Sequence, residues 1–375
     1  MSDSNVAGKA RIGSIQGLRF AFALLVFSSH FAWGGSRPFD AGGDSAVVFF
    51  LVAAGFFAAR SQGDAIVSGR FSFPKYMKRR LTAIYPAHLA ALAVAYVCMP
   101  QAFTDHRGVA ASLLLVQSWF IDSGYFWQCN APAWFLSDIV LCYLLFWPIA
   151  YAAFKASRRG VIAATAAIAA IYVAACWPIT DPATANKWLY VYPLPRVLDF
   201  ALGVTLYRIV SGGDAFRRRA ALLQWGAIAL VVVALWLYYV LPMPWPLAAV
   251  FWLPMSMLVA VFVMTADCRT VLQRVLSSRP MVALGNASLE IFLLHVPILH
   301  GVERLSHHIP LGYASALLIS IATTLAAALL LHAALKKCRK CVILHKNMYE
   351  KCVKLHIFGT CVRIFCQITI PMNCL

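Results

Sequence analysis

Apolar runs long enough to cross a bilayer alternate with short basic connectors along most of the chain. A spanning helix needs roughly 20 mainly apolar residues, which predicts spans at roughly 14–33, 45–60, 81–99, 133–154, 160–177, 193–211, 220–241, 247–265, 283–301 and 312–335. The stretch Val109–Phe120 is too short to cross. It reads as a re-entrant or interfacial helix within a long outward-facing segment.

Charge supplies an orientation. Lys and Arg are retained in cytoplasmic connectors. With Lys9 and Arg11 inside, the inner connectors hold Arg60, Arg70, Lys75, Lys78, Arg79 and Arg80, then Lys155, Arg158 and Arg159, then Arg208, Arg217, Arg218 and Arg219, then Arg269, Arg274 and Arg279. The outer connectors hold only Arg37, Arg107, Lys187 and Arg304, and none lies around Pro242–Pro246. The predicted fold is therefore all-α: a polytopic transmembrane helical bundle of about ten spans with both termini cytoplasmic.

Composition narrows the alternatives. Hydrophobic residues make up 62% of the chain, charged residues 12%, and mean hydropathy is +0.74. Such a chain cannot cover itself with polar surface in water, so the lipid bilayer is its first partner. The formal charge of +18 would suit nucleic acid if it formed one basic face. Clustered in connectors, it argues for membrane topology and against nucleic acid. The first apolar stretch begins near Leu18, contains Arg19 and His30 and lacks a small-residue cleavage site, so it reads as a first transmembrane helix rather than a cleavable signal. Residues 1–335 form the membrane unit; 336–375 change character to a basic, Cys-rich cytoplasmic tail. Cys338, Cys341, Cys352, His345 and His356 could be drawn as a zinc site, but no second Cys-x-x-Cys pair completes it, and no metal is expected. A juxtamembrane extension attracted to anionic headgroups accounts for this tail.

Ionisable residues inside spans are costly and mark candidate sites. The first span holds Arg19 and His30, which eleven residues at 100° each bring onto nearly one face, about 16 Å apart along the axis. Asp138 lies near the outer end of the fourth span. Arg196 and Asp199, three apart on the sixth, can pair. Glu290 and His295 lie on the ninth. Several have a structural alternative: snorkelling for Arg19, a carbonyl-bonded ring for His30, an ion pair for Arg196–Asp199, and capping of a helix kinked by Pro297 for His295. On the inner side Lys78, Arg79 and Arg80 stand at the mouth of the third span, where guanidinium and ammonium groups suit phosphate.

These residues carry a family resemblance. Arg19 and His30 form an Arg-x10-His pair; Gly43–Phe56 reads Gly-Asp-Ser-Ala-Val-Val-Phe-Phe-Leu-Val-Ala-Ala-Gly-Phe; Arg80–Pro86 reads Arg-Leu-Thr-Ala-Ile-Tyr-Pro; Trp134-Phe-Leu136, Arg196–Gly203 and Leu284–Pro297 follow in order. Together they resemble the acyltransferase 3 family of membrane O-acyltransferases from about Ile12 to about Leu335. Ala54 stands where that family has Ser, and Ala83 where it has a second Arg, for which Lys78 or Arg79 is the nearest substitute. The resemblance implies a bacterial inner-membrane enzyme with acyl-CoA, usually acetyl-CoA, as cytoplasmic co-substrate and no permanently bound cofactor. The acceptor would be a hydroxyl of a surface glycan or related compound. Arg19, Arg79 and Arg80 would grip the CoA phosphates. His30 would be the general base, with Asp138, Arg196, Asp199, Glu290 or His295 orienting it or holding acceptor. Direct transfer and an acyl-histidine relay both fit. A transporter would also carry mid-membrane ionisable groups, but the sequence shows no inverted repeat.

The orientation has a direct check. Single cysteines placed at Ser36 and Ala183 should react with an impermeant reagent from outside, and those at Ser68 and Ser157 only from inside; outside labelling at Ser68 would remove the donor-side assignment of Arg79 and Arg80.

Overall fold

A computed structural model describes residues 12–36, 42–120, 124–179, 181–210, 214–240 and 249–354. Its architecture is helical, without named strands among the described residues. The main helices are α1 (Gly13–His30), α2 (Gly43–Val67), α3 (Phe73–Cys98), α4 (His106–Leu113), α5 (Trp134–Lys155) and α6 (Arg158–Cys176). They continue with α7 (Pro193–Ile209), α8 (Ala220–Val240), α9 (Trp252–Met264), α10 (Arg279–Asn286), α11 (Ser288–Ser306) and α12 (Tyr313–Lys354).

Local chemistry sets several of these boundaries. Asp105 caps α4 by accepting from Arg107 N at 2.9 Å, and Ser157 caps α6 by accepting from Gly160 N at 3.1 Å. Proline occupies the first turn of α3 and α7, where its missing N–H leaves no gap.

Each of the ten apolar runs carries helix, but they are not equivalent. Among the described residues, six helices are long and apolar enough to cross a membrane, and seven if α10 and α11, bent by 67°, count as one broken span. The others fall short for physical reasons. Gln16, Arg19 and His30 interrupt α1; α7 has 17 residues and carries Arg196, Asp199 and Arg208; α9 has 13 residues. The chain is a multi-pass helical membrane protein. At residue 335 the helix does not break: α12 continues to Lys354. Cys361, Cys366, Cys374 and His356 of the tail lie outside the described residues, as do Lys9, Arg11 and Arg37.

The segment between α3 and α5 turns into the bundle. Tyr85 and His88, halfway along α3, bond the carbonyls at the end of α4: Tyr85 Oη donates to Leu113 O, and His88 Nε2 lies 2.9 Å from Ser112 O. The chain reverses at Leu115, held at φ 58°. Gln117 Nε2 then donates to Ala133 O at 2.9 Å. Thus α5 opens within the bundle rather than at its edge, and Asp138, four residues along α5, sits deeper than its place in the sequence indicates.

At the centre, α2 packs against α1, α5, α7 and α9. Its closest approach is to α7, where two glycines let backbones touch. A methyl on Gly55 would lie 2.0 Å from Phe200 O, and one on Gly203 would lie 2.0 Å from Val52 O. Small residues at such crossings are how helices associate tightly in membranes. Gly203→Ala should therefore lower stability by at least roughly 1–3 kcal/mol through overpacking. Gly226→Ala on α8, with open space around it, should be neutral or mildly stabilising. Thermal unfolding in detergent compares the two.

Candidate active site

Basic side chains from separate helices gather at one end of the bundle. Arg79 Nη2 reaches Ser61 Oγ at 3.5 Å, Arg208 Nε donates to Ala153 O at 3.1 Å, and Arg158 Nη2 donates to Ile209 O at 2.7 Å. A cavity of about 340 Å³ opens here between α1, α2, α3, α5 and α11. Gln16, Arg19, Arg60, Ser61 and Arg80 give it polar walls, and Phe50, Ala53, Ala54, Ile84, Phe135 and Ile139 are among its apolar ones. Arg80 is clamped over the rings of Tyr76 (5.0 Å) and Tyr143 (4.9 Å), and its Nε has no hydrogen-bond partner. Aromatic faces hold a guanidinium without consuming its donors. Arg19 and Arg80 thus share one chamber. Arg79 lies exposed beside its Ser61 rim rather than in its lining, and Lys78 is exposed. Ala83 O accepts from Arg339 Nη2 of α12 at 2.9 Å, so a guanidinium does reach that position from elsewhere in the chain.

The two histidines come together beyond the chamber. Rings of His30 and His295 lie 4.9 Å apart, edge to face at 71°. His30 Nδ1 is 2.8 Å from Val26 O and His295 Nδ1 is 2.7 Å from Phe292 O. A carbonyl can only accept, so in each neutral ring Nδ1 carries the proton and Nε2 the basic lone pair. His30 is exposed, whereas His295 is buried with Nε2 lacking a hydrogen-bond partner. His295 does not cap the break at Pro297. The proline removes a donor to the carbonyl four residues back, Leu293 O, and Asn130 Nδ2 satisfies it at 2.8 Å.

A second, fully buried group lies between α5 and α7. Arg196 Nη1 is 3.1 Å from Asp199 Oδ2, and Nη2 donates to Leu189 O at 2.9 Å. Trp252 Nε1 donates to Asp199 Oδ1, and Ser118 Oγ donates to Asp138 Oδ1 at 2.6 Å. Asp138 is likewise fully buried, on α5, which packs against α7. Glu290 joins neither group: its Oε1 lies 3.0 Å from His332 Nδ1 of α12.

Three rings were not visible as site residues from the sequence. Phe50 of α2, Phe135 of α5 and Phe292 of α11 form a mutual triangle with centroid distances of 6.2, 6.4 and 5.3 Å. Each is one of many aromatics in apolar helices, and no spacing rule singles it out. Asn130 had one usable signal, since any proline within a span leaves a carbonyl to be satisfied.

A family model described as an acyltransferase domain matches residues 12–333. The chain is 29% identical over 354 residues to acyltransferase MdmB of Streptomyces mycarofaciens, covering 85% of this chain and 87% of that protein. No solved structure matches.

The buried ion pair makes its own prediction. Asp199→Ala should destabilise by about 3–5 kcal/mol, because Arg196 is left charged and unpaired, whereas Arg196→Met with Asp199→Leu should restore most of the loss. Thermal unfolding measures both. If the restored double variant still transfers acyl groups, the pair is architectural; loss of transfer in that folded variant assigns it to the reaction.

Proposed function

The chain belongs to this acyltransferase family, and from that premise we propose that it moves an acetyl or other short acyl group from cytoplasmic acyl-CoA to a hydroxyl of a surface glycan or related acceptor. The enzyme class and the membrane setting follow from the family and the apolar helices. The donor, the acceptor, the bacterial inner membrane and the site roles are our reading.

The observation that carries it is the alignment of an arginine-lined chamber at the basic end with a histidine pair beyond its apolar end. Arg19 and Arg80 supply charge-assisted donors for CoA phosphates, with Arg79 at the rim. The apolar walls suit the uncharged arm that carries the thioester. Ala54 adds no polar atom to those walls.

His30 is the base because its ring is exposed to an incoming acceptor while Val26 O holds Nδ1–H in place. The acceptor oxygen attacks the thioester carbonyl carbon; its C–O bond forms as the C–S bond breaks. The hydroxyl proton passes to His30 Nε2 and from there to the departing CoA thiolate. His295, edge-on to His30, orients it, while the cluster of Asp138, Arg196 and Asp199 supports α5 and α7 around the acceptor side. The acceptor end carries exposed Trp127, Trp177 and Trp188, suited to sugar rings or to the membrane interface. A transporter would need no base poised beside a donor chamber.

His30→Gln keeps a hydrogen-bonding side chain but cannot take the proton, so turnover should fall about 10²- to 10⁴-fold while acetyl-CoA binding persists. Arg80→Gln should instead raise the KM for acetyl-CoA with the protein still folded. Near-full activity in His30→Gln would move the base to His295; unchanged KM in Arg80→Gln would leave Arg80 a packing residue.

A further inference from the structure

The histidine pair lies outside the lining of the donor chamber. Phe50, Phe135 and Phe292 all line the chamber, and they come from three different helices that bring their rings together as a triangle. On its far side, the Phe292 ring lies 6.0 Å from that of His295, which in turn meets His30. Phe292 thus lines the chamber and also lies against the histidine pair.

We propose that Phe50, Phe135 and Phe292 are positioning residues that partition the chamber from the histidines and keep the donor thioester from water activated at His30 until an acceptor is in place. The inference rests on the acyl-CoA reading above. Its physical basis is access. His30 is exposed at the far end, so without the rings water reaching His30 would also reach a thioester in the chamber. Water oxygen would attack the carbonyl carbon, the C–S bond would break, and the proton would pass through His30 to the thiolate, giving free acid and CoA thiol. Excluding water from a site suppresses this side reaction.

The partition is built to move. Ring contacts of this kind are weak enough for an entering thioester arm to part them. Phe292 stands one turn past the 67° bend between α10 and α11. On the near side of that bend α10 is locked against α1, since a methyl on Gly285 would lie 1.9 Å from Gln16 O. Rotation therefore falls on the first turns of α11, which carry Ser288 and Leu289 of the chamber wall as well as Phe292.

The test uses the full-length protein in detergent with radiolabelled acetyl-CoA and no acceptor. Phe292→Ala should raise acetyl-CoA hydrolysis by roughly tenfold or more, the reaction that a dry site suppresses, and Phe135→Ala on a different helix should do the same if either variant folds poorly. Phe292→Leu, which keeps most of the volume, should fall between Phe292→Ala and wild type. Adding His30→Gln to Phe292→Ala should abolish the excess hydrolysis, an outcome that general loosening would not produce. Hydrolysis at the wild-type level in folded Phe292→Ala and Phe135→Ala, with acetyl-CoA bound normally, overturns the partition alone. Absence of acetyl-CoA binding by the wild-type protein overturns the donor reading and the partition with it.

Discussion

Lipid offers no hydrogen bonds, so a polar group placed within a span has to be satisfied by another part of the same chain. Much of this bundle follows from that constraint. Pro297 frees Leu293 O, and Asn130 must come to it. Asp138 needs a donor, and Ser118 supplies one. Gln117 meets Ala133 O where α5 begins. All three partners belong to the segment between α3 and α5, which has too few apolar residues to cross. That segment enters the bundle because buried carboxylate and carbonyl groups of α5 and α11 require it there.

The same constraint makes the exceptions informative. His295 Nε2 and Arg80 Nε are buried without hydrogen-bond partners. One belongs to the histidine pair and the other to the wall of the cavity. Arg196, equally buried, spends one nitrogen on Leu189 O and another on Asp199.

Packing gives the polar groups their fixed places. Backbone contact between α2 and α7 at Gly55 and Gly203 draws the buried ion pair against the centre of the bundle, while the other face of α2 is left to line the cavity with Phe50, Ala53 and Ala54. One helix thereby sets the spacing of both regions. The mutual contact of Phe50, Phe135 and Phe292 follows from the same geometry, since α2, α5 and α11 all line this cavity.

The sequence by itself determined the class, because apolar runs of membrane length with basic connectors admit few other folds. It also determined the Arg19–His30 alignment, which helical periodicity alone dictates, and the pairing of Arg196 with Asp199 three residues on. The ordered motifs of the resemblance pointed to the family. Tertiary structure alone decided which of these residues share a compartment. His30 meets His295 from a helix more than 260 positions away, Glu290 turns to His332, Arg79 stays at the rim while Arg80 enters the chamber, and Asp138 lies at depth because its helix starts inside the bundle. Those outcomes depend on how helices cross and where a re-entrant segment reverses. A sequence pattern with a period of 3.6 residues records which face of a helix is apolar, but not which neighbour that face will meet.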